Sequence, residues 1–494
     1  MNQEGGRGNP EGRVDPADRP RAIAYPYRFE RTASMGELQQ RYADVPAGEA
    51  TGDGAAVAGR VRTMRTHGKV AFADVEDSSG RLQLFAARDV LGDEGLARFA
   101  ALNVGDVVGA SGEVIRTKRG ELSLSVADLT VLAPCLRPMP EKWRGMTDVE
   151  ARLRQRYLDL IVNPEARRPI AARAAANACA RSLLDARGFV EVETPLLHPV
   201  AGGAVARPFV THHNALDLDL YLRVAPELYL KRLLIGGCER VYELDRSFRN
   251  EGISARHNPE YTMLEAYEAY VDYHDTMSLV EDLVRAIAAA VTGSLQVAHA
   301  GDVLDFEPPF ARITMFDALR EHADLDLELA WKEGDEQKLR DAAGSVGVKV
   351  LGSWAPGKIL AEVFEAAAER RITRPTFVAG YPKEVSPLAK NHRSIEGFTE
   401  QADLVIAGVE MCPVYSELND PEEQRRRFRQ QAAARAAGDE EAALPDEDFL
   451  EALAYGMPPA GGFGLGMDRL LTVLLGASSL REVILFPILR PEAP

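Results

Sequence analysis

Between Ala55 and Leu132 the chain consists of short β-like runs, and this feature restricts the fold more than any other. The runs are VAGRVR, VAFADVED, RLQLFA, DVVGASGEVI and LSLSVADLTVL, separated by glycines and polar turn residues. About five short strands at this spacing, with one helix-like insert at Leu96 to Leu102, favour a small closed barrel, first of all an OB-fold. A short amphipathic helix is expected before the barrel, at Ser34 to Tyr42.

Composition and punctuation divide the 494 residues into four parts. The predicted parts are a disordered tail (1–25), an OB-fold domain with its leading helix (26–133), a linker (134–160) and one large α+β domain (161–494). Helical periodicity at Ala171 to Ala186 and Tyr273 to Thr292, together with apolar strand-like runs, predicts an antiparallel sheet covered by helices in the large domain.

Several classes of protein are disfavoured by the sequence. No strand is followed by a G-x-G-x-x-G turn or a Walker loop, which argues against Rossmann and P-loop folds. The net charge of −17 argues against a protein that coats nucleic acid non-specifically. No signal peptide or membrane span is indicated, so we expect a cytoplasmic protein without a membrane partner. The four cysteines are far apart and suggest neither zinc nor disulfides.

Two segments combine arginine with turn residues in a way that suits phosphate binding. The first, Arg246 to Glu251, lies between two strand-like runs and is followed by His257; an arginine there presents a planar fork to a phosphate. The second is the glycine-rich run Gly461 to Arg469, followed by an apolar helix, where glycines allow close approach of a ligand. A surface salt-bridge loop and a plain glycine-rich helix entry are the competing interpretations.

A set of carboxylates lies in mostly apolar sequence contexts such as VAPELYL and YTMLEAY. Its members are Glu227, Glu265, Asp403, Glu410 and Glu417. Buried carboxylates are costly unless a cation is close. A ligand ammonium and Mg²⁺ would both meet that need, while internal Arg or Lys partners are the competing explanation.

These segments stand in an order that resembles class II lysyl-tRNA synthetases from about Tyr25 to the C-terminus. RGFVEVETP resembles the first signature motif of that family, FRNEGISARHNPEYTMLEAYEAY the second, and GGFGLGMDRL with REVILFPILRP the third. RQRYLDLIVNPEARR, APELYLKRL, EVSPLAK and YSELND are similar to further blocks of the family. Aspartyl and asparaginyl synthetases share the layout but lack the HNPEYTMLEAY text.

The resemblance implies an OB-fold that reads the anticodon, followed by a seven-stranded antiparallel class II catalytic domain, assembled as a homodimer. The implied activity is that of a lysine–tRNA ligase: ATP activates lysine to lysyl-adenylate, and the lysyl group is then transferred to the 3′ end of tRNA(Lys). Because the reaction needs no protein nucleophile, catalysis consists of positioning and of neutralising phosphate charge.

Site residues carried over from the family fall into three groups. For ATP, Arg249 is expected on the α-phosphate, Tyr261 and Arg469 around the adenine, and Glu251 and His257 beside the nucleotide; Arg249 and Arg469 are the predicted catalytic pair. For lysine, Glu227 is expected at the α-ammonium, Glu265, Tyr267 and Glu417 around the ε-ammonium, and Tyr415 in the same pocket. For Mg²⁺, the positions are Asp403 and Glu410.

In the barrel, the resemblance places Arg65, Phe72, Gln83 and Glu121 at the anticodon site. OB barrels bind single strands by stacking bases on aromatic rings and by hydrogen bonds to base edges, which these residue types provide. Without the resemblance, Phe72 would be taken as a core residue.

The amino-acid pocket departs from the family pattern at three positions. Pro413 stands where an Asn is expected to bind the substrate carboxylate, Val414 stands in place of a Gly, and Asp403 is one methylene shorter than the usual metal-binding Glu. Loss of a hydrogen bond to a charged group weakens binding by roughly 1.5–3 kcal/mol. Two alternatives therefore remain open: a divergent paralogue that activates a lysine analogue or confers inhibitor resistance, and a non-catalytic synthetase-like RNA-binding protein.

Overall fold

The computed structural model describes residues 25–140, 146–204, 206–352, 354–436 and 444–491. The chain forms two compact units that divide between residues 145 and 146. The predicted disordered tail, apart from Tyr25, lies outside the described residues. Within the described ranges, no helix has both the length and the apolar character needed to cross a membrane.

The first unit contains a closed five-stranded barrel, as the sequence predicts. Its elements are α1 (Met35–Arg41), β1 (Ala50–His67), β2 (Val70–Glu76), β3 (Arg81–Ala87), α2 (Arg88–Ala100), β4 (Val107–Arg116) and β5 (Leu122–Ala133). The strands close in the order β1-β2-β3-β5-β4. Alternate residues of β2 are buried, so one face of each strand builds the barrel core and the other faces outward.

The second unit is larger and mixes helices with strands. Its helices are α3 (Val149–Arg154), α4 (Arg156–Val162), α5 (Arg168–Ala186), α6 (Glu227–Ile235), α7 (Tyr273–Thr292), α8 (Met315–Ala323), α9 (Glu328–Glu333), α10 (Glu336–Ser345), α11 (Pro356–Ala367), α12 (Pro421–Ala436), α13 (Glu447–Ala454), α14 (Met467–Leu474) and α15 (Leu480–Val483). Its strands are β6 (Val190–Glu191), β7 (Leu197–His198), β8 (Val210–His213), β9 (Leu218–Leu222), β10 (Arg240–Phe248), β11 (Glu260–Ala269), β12 (Gln296–His299), β13 (Asp302–Asp305), β14 (Ala311–Thr314), β15 (Thr376–Pro382), β16 (Phe398–Ile406), β17 (Val409–Ser416) and β18 (Ala460–Gly466).

The central sheet differs in detail from the seven antiparallel strands that the resemblance implies. Within the described residues it has eight strands, in the order β14-β15-β16-β17-β18-β11-β10-β6. The pairs β14/β15 and β6/β10 are parallel and the other neighbours are antiparallel. The sheet is therefore mixed. Each edge strand is joined to its neighbour by a long connection that contains helices, and not by a hairpin.

The two faces of β11 explain where a site can form. Leu264 and Ala266 are buried in the large core, to which α5 and α7 also contribute. Met263, Glu265 and Tyr267 alternate with them and must point to the opposite face. The core side is apolar, so buried carboxylates of β10 and β11 lie on the face away from α5 and α7.

Helices α3 and α4 occupy part of the predicted linker. The Arg156 side chain is buried, donates from Nε to the backbone oxygen of Leu485 at 3.0 Å, and is ion-paired with Asp159 at 2.8 Å. This part of the chain thus anchors the segment after α15, and the exact boundary between linker and catalytic domain stays a prediction.

Candidate active site

All five residues predicted to bind ATP line one cavity of the second unit. They are Arg249, Glu251, His257, Tyr261 and Arg469. Strands β10 and β11 bring most of them together, because Ser247 pairs with Tyr261 where the two strands approach their connecting loop. The empty space of the cavity, including the part that is open to solvent, is about 710 Å³.

Arg249 and Tyr261 place polar atoms without partners in the wall of this cavity. The Cζ atom of Arg249 lies 5.3 Å from the centroid of the Tyr261 ring. The Arg249 Nε and the Tyr261 hydroxyl are buried, and neither has a hydrogen-bond partner among the described residues. Burial raises the pKa of Tyr261 to about 12, so its hydroxyl remains a donor at neutral pH. A polar ligand or water is needed to satisfy such atoms.

Arg469 lies in the first turn of α14, immediately after β18. Its Nη1 donates to the backbone oxygen of Glu410 at 2.8 Å and lies 3.5 Å from Glu410 Oε1. The neighbouring Asp468 accepts a hydrogen bond from the Thr262 backbone N–H at 2.8 Å and is ion-paired with Arg173. These bonds fix α14 to β11 and α5, and so hold the Arg469 guanidinium at the cavity wall.

The glycines of β18 make room for side chains of the site. A Cβ atom at Gly462 would collide with Glu417 Oε1 and the Tyr267 ring, and one at Gly464 would lie 3.0 Å from the Met263 methyl group. The sequence interpretation was that these glycines let a ligand approach the backbone. In the structure, Gly462 admits the acidic and aromatic side chains of its neighbours instead.

Glu227 and Glu417, both predicted to bind substrate ammonium groups, already share an ammonium of the protein. Lys231 Nζ lies 2.6 Å from Glu227 Oε1 and 2.5 Å from Glu417 Oε2. The Lys231 and Glu417 side chains are almost completely buried. These two carboxylates therefore have an internal cation as partner, and their contact with a substrate stays a prediction.

Glu265 is buried, and within the described part of the chain no Lys or Arg forms an ion pair with it. Its Oε2 accepts a hydrogen bond from the Tyr267 hydroxyl at 3.1 Å. Burial, followed by the charges of Asp245 and Glu227, raises the pKa of Glu265 well above its ordinary value. Asp245 on β10 is also buried, and its Oδ2 has no hydrogen-bond partner among the described residues. This acidic environment would be stabilised by a bound cation.

The predicted metal ligands Asp403 and Glu410 lie on the adjacent strands β16 and β17. Burial, followed by the charge of Glu410, raises the pKa of Asp403 well above its ordinary value. Glu369 belongs to the same acidic surroundings, since burial and then Glu410 raise its pKa to about 7. Carboxylate oxygens are the donors that Mg²⁺ takes together with phosphates and water, so the pair fits this ion. Within the described ranges, no three His, Cys, Asp or Glu residues are grouped to hold a metal.

Pro413 and Val414 point in opposite directions from β17. Pro413 lines the cavity and pairs with Asp403 next to an irregularity of the β16/β17 register. Proline lacks an N–H and cannot donate to the hydrogen-bond ladder, so within sheets it is found at edges and at irregular positions. Val414 is fully buried in the core and pairs with Phe463, so its side chain does not occupy the cavity.

On the barrel, three of the four residues predicted at the anticodon site lie on paired strands. Arg65 pairs with Phe72, and its Cζ lies 6.0 Å from the Phe72 ring centroid. Phe72 is partly exposed and lies 5.2 Å from Phe85, so the alternative of a core Phe72 is wrong. Gln83 is buried and its Oε1 accepts a hydrogen bond from Ser123 at 3.1 Å. Glu121 is exposed just before β5.

Sequence reasoning missed four residues of these two sites: Lys231, Asp245, Glu369 and Phe85. Three of them are charged residues that look like ordinary surface positions of a helix or strand. Phe85 carries a usable signal, because it lies two residues after Gln83 and therefore on the same face of the strand.

Comparison with known proteins agrees with this geometry. Residues 148–490 match the family model of tRNA synthetases class II (D, K and N), and residues 55–132 match that of the OB-fold nucleic acid binding domain.

Curated relatives cover nearly the whole chain. The lysine–tRNA ligase of Syntrophomonas wolfei subsp. wolfei is 50% identical over 94% of this chain and 93% of its own length, and that of Moorella thermoacetica 51% identical over 94% and 93%. The lysine–tRNA ligase of Xanthomonas oryzae pv. oryzae is 49% identical over 96% and 94%. The predicted family and fold class are confirmed, and the chain belongs to the class II tRNA synthetases, in the family of the lysine–tRNA ligases.

Proposed function

We propose that this protein is a lysine–tRNA ligase that activates lysine with ATP and transfers it to tRNA(Lys). The observation that carries the proposal is that three mostly buried carboxylates, Glu227, Glu265 and Glu417, lie together in the unit whose cavity is lined by Arg249 and Arg469. A basic amino acid and an anionic nucleotide would complement these two charged regions. The names of the relatives support the same substrates.

ATP would occupy the cavity between β10, β11 and α14. Arg249 binds the α-phosphate, whose oxygen atoms accept from the unpartnered Nε. Tyr261 and Arg469 enclose the adenine, because an aromatic ring and a guanidinium plane both stack on a base. Glu251 and His257 lie at the same cavity and contact the rest of the nucleotide.

Lysine would lie along the acidic side of the sheet. Glu227 binds the α-ammonium, while Glu265, Tyr267 and Glu417 surround the ε-ammonium. Tyr415 on β17, two residues before Glu417, closes the pocket. Glu417 Oε1, which Lys231 does not contact, is an acceptor available to the substrate.

The reaction then needs only positioning and charge neutralisation. The lysine carboxylate attacks the α-phosphorus of ATP and pyrophosphate leaves; next, a terminal ribose hydroxyl of the tRNA attacks the carbonyl of lysyl-adenylate and AMP leaves. Arg249 and Arg469 stabilise the negative charge that develops on the phosphate.

Asp403 and Glu410 would hold Mg²⁺, which, when bound, neutralises phosphate charge and orients the pyrophosphate. Bound cation would lower the pKa of Asp403, whose rise comes from burial and from Glu410.

The barrel would bind the anticodon. Phe72 stacks on a base, and Phe85, 5.2 Å away, extends the aromatic surface. Arg65 supplies positive charge, while Gln83 and Glu121 hydrogen-bond base edges.

The enzyme would act in the cytoplasm as a homodimer. Val190, Leu196, Leu197, Val210 and Leu218 are exposed apolar side chains around β6 to β9. Such side chains become buried in an obligate dimer interface. Light scattering at micromolar concentration should give about twice the chain mass of 54.0 kDa.

Pro413 favours a second candidate, the activation of a lysine analogue. Its side chain lines the cavity and provides no donor for the substrate carboxylate. Charging of tRNA(Lys) with labelled lysine distinguishes the candidates. Efficient charging supports the lysine–tRNA ligase, and charging only with an analogue supports the second candidate.

A further inference from the structure

Lys231 is the most deeply buried cation near the amino-acid pocket, and the reaction described above does not use it. Its side chain is 0% exposed. Nζ contacts Glu227 Oε1 at 2.6 Å and Glu417 Oε2 at 2.5 Å, and also lies 3.4 Å from the Leu388 backbone oxygen. The three oxygens come from α6, from the end of β17 and from the segment before β16. One ammonium group therefore fixes carboxylates that belong to separate elements.

The charges around Lys231 match those of the proposed substrate. Three carboxylates (Glu227, Glu265 and Glu417) and one ammonium (Lys231) leave two negative charges when all are ionised. Lysine brings two ammonium groups and one carboxylate. Because uncompensated buried charge is strongly unfavourable, the two ammonium groups would stabilise these carboxylates.

The surroundings of Glu417 make its ionisation depend on Lys231. The groups that face it are Lys231 and Glu227 on α6, Glu265 and Tyr267 on β11, and Tyr415 on β17. Among them Lys231 alone is a cation. Burial raises the pKa of Glu417 to about 7, and the Lys231 ammonium opposes a larger rise. Without Lys231, the carboxyl would retain its proton to higher pH.

We propose that Lys231 is a positioning residue for amino-acid selection: it holds Glu227 and Glu417 in place and favours the ionised form of Glu417 before the substrate ammonium arrives. This inference rests on the proposed function. Its consequence is that lysine binding expels fewer protons from Glu417 than it would without Lys231, with Glu417 Oε1 left free for the substrate.

A purely structural role is the competing explanation, in which Lys231 only ties α6 to β17. Both explanations predict a less stable protein when Lys231 is replaced. They differ in proton linkage, because loss of a structural tie has no reason to change how lysine affinity depends on pH.

The test is Lys231→Met, assayed by lysine-dependent ATP–pyrophosphate exchange from pH 7 to 9, where the wild-type Glu417 is largely ionised. In the variant, lysine must displace the Glu417 proton, so KM for lysine should fall with rising pH more steeply than in the wild type, by up to about tenfold per pH unit. KM for ATP should keep its wild-type pH dependence. Calorimetry in two buffers of different ionisation enthalpy should show extra proton release on lysine binding.

Lys332→Met is the matched control, because Lys332 forms the same i,i+4 pair with Glu328 at 2.7 Å on the exposed helix α9. It should retain wild-type KM values at every pH. If Lys231→Met does not fold, Lys231→Gln keeps a hydrogen-bond donor without the charge and should give the same steep pH profile. Parallel pH profiles for wild type and a folded Lys231 variant would overturn the inference. Failure of the wild-type enzyme to activate lysine would instead overturn the proposed function.

Discussion

The proposed phosphate contacts depend on two guanidinium groups at the wall of one cavity. The Arg249 guanidinium lies over the Tyr261 ring, and Arg469 donates a hydrogen bond to the backbone oxygen of Glu410. Neither side chain belongs to the apolar core. Their removal should therefore affect catalysis far more than folding.

Arg249→Ala and Arg469→Ala should each reduce the rate of ATP–pyrophosphate exchange by about 100- to 1,000-fold, since each removes a donor to developing charge. The melting temperature should stay close to that of the wild type. Arg246→Ala is a suitable control, because Arg246 lies three residues before Arg249, near the end of β10, and is ion-paired with the partly exposed Glu260 at 2.5 Å. Near-normal exchange in either site variant would exclude the proposed ATP site.

Pro413 leads to a prediction about lysine affinity. KM for lysine should be high, and Pro413→Asn should lower it by about ten- to a hundred-fold if a missing hydrogen bond to the carboxylate is the cause. Val414→Gly, which the sequence suggested as a companion change to make room, should instead destabilise the protein, because Val414 packs in the core. Ordinary lysine affinity in the wild type would mean that another group binds the carboxylate.

At the scale of elements, strand β18 shows why the glycine-rich motif is needed. Gly462→Ala should raise KM for lysine, since the new methyl group collides with Glu417 Oε1 and the Tyr267 ring. Gly344→Ala on α10 is the control, because nothing lies within 4 Å of a Cβ atom there. Exchange assays with varied lysine provide the measurement. An unchanged KM in the Gly462 variant would show that these side chains are not part of the lysine pocket.

The sequence predicted long, strongly patterned elements well. The helix expected at Tyr273 to Thr292 has those bounds in the structure, because its apolar residues recur at helical spacing and its ends are capped. Strands of four residues, such as β14, were not identified, since so short a run has no distinguishable period. The parallel pairing of β14 with β15 joins segments about sixty residues apart and leaves no local signal.

Site residues could be predicted from the sequence where they belong to a motif. They could not be predicted where tertiary contacts decide which side chains meet. Arg249, Tyr261 and Arg469 were found because they belong to recognisable motifs, and the cavity brings them together. Lys231 lies in the run YLKRLL, where nothing in the sequence shows that its ammonium meets Glu417, 186 positions away along the chain. The direction of Val414 likewise depends on the register with β18.

At the scale of the whole molecule, we expect amino-acid activation in the second unit and anticodon binding in the first. Phe72→Ala should weaken tRNA binding by about 1–3 kcal/mol and so reduce tRNA charging, while exchange without tRNA stays normal. Phe85→Ala should act in the same direction. A parallel loss of both activities would mean that these rings contribute to the stability of the protein and not to RNA binding.

The central claim, that lysine is the substrate, is tested most directly by amino-acid-dependent ATP–pyrophosphate exchange with the wild-type enzyme. The panel should contain all twenty standard amino acids together with β-lysine and ornithine. We expect lysine to give the highest kcat/KM and neutral amino acids to give almost none, because a buried carboxylate pair rejects a substrate without a side-chain ammonium group. A higher kcat/KM for another amino acid, or no exchange with any of them, would contradict it.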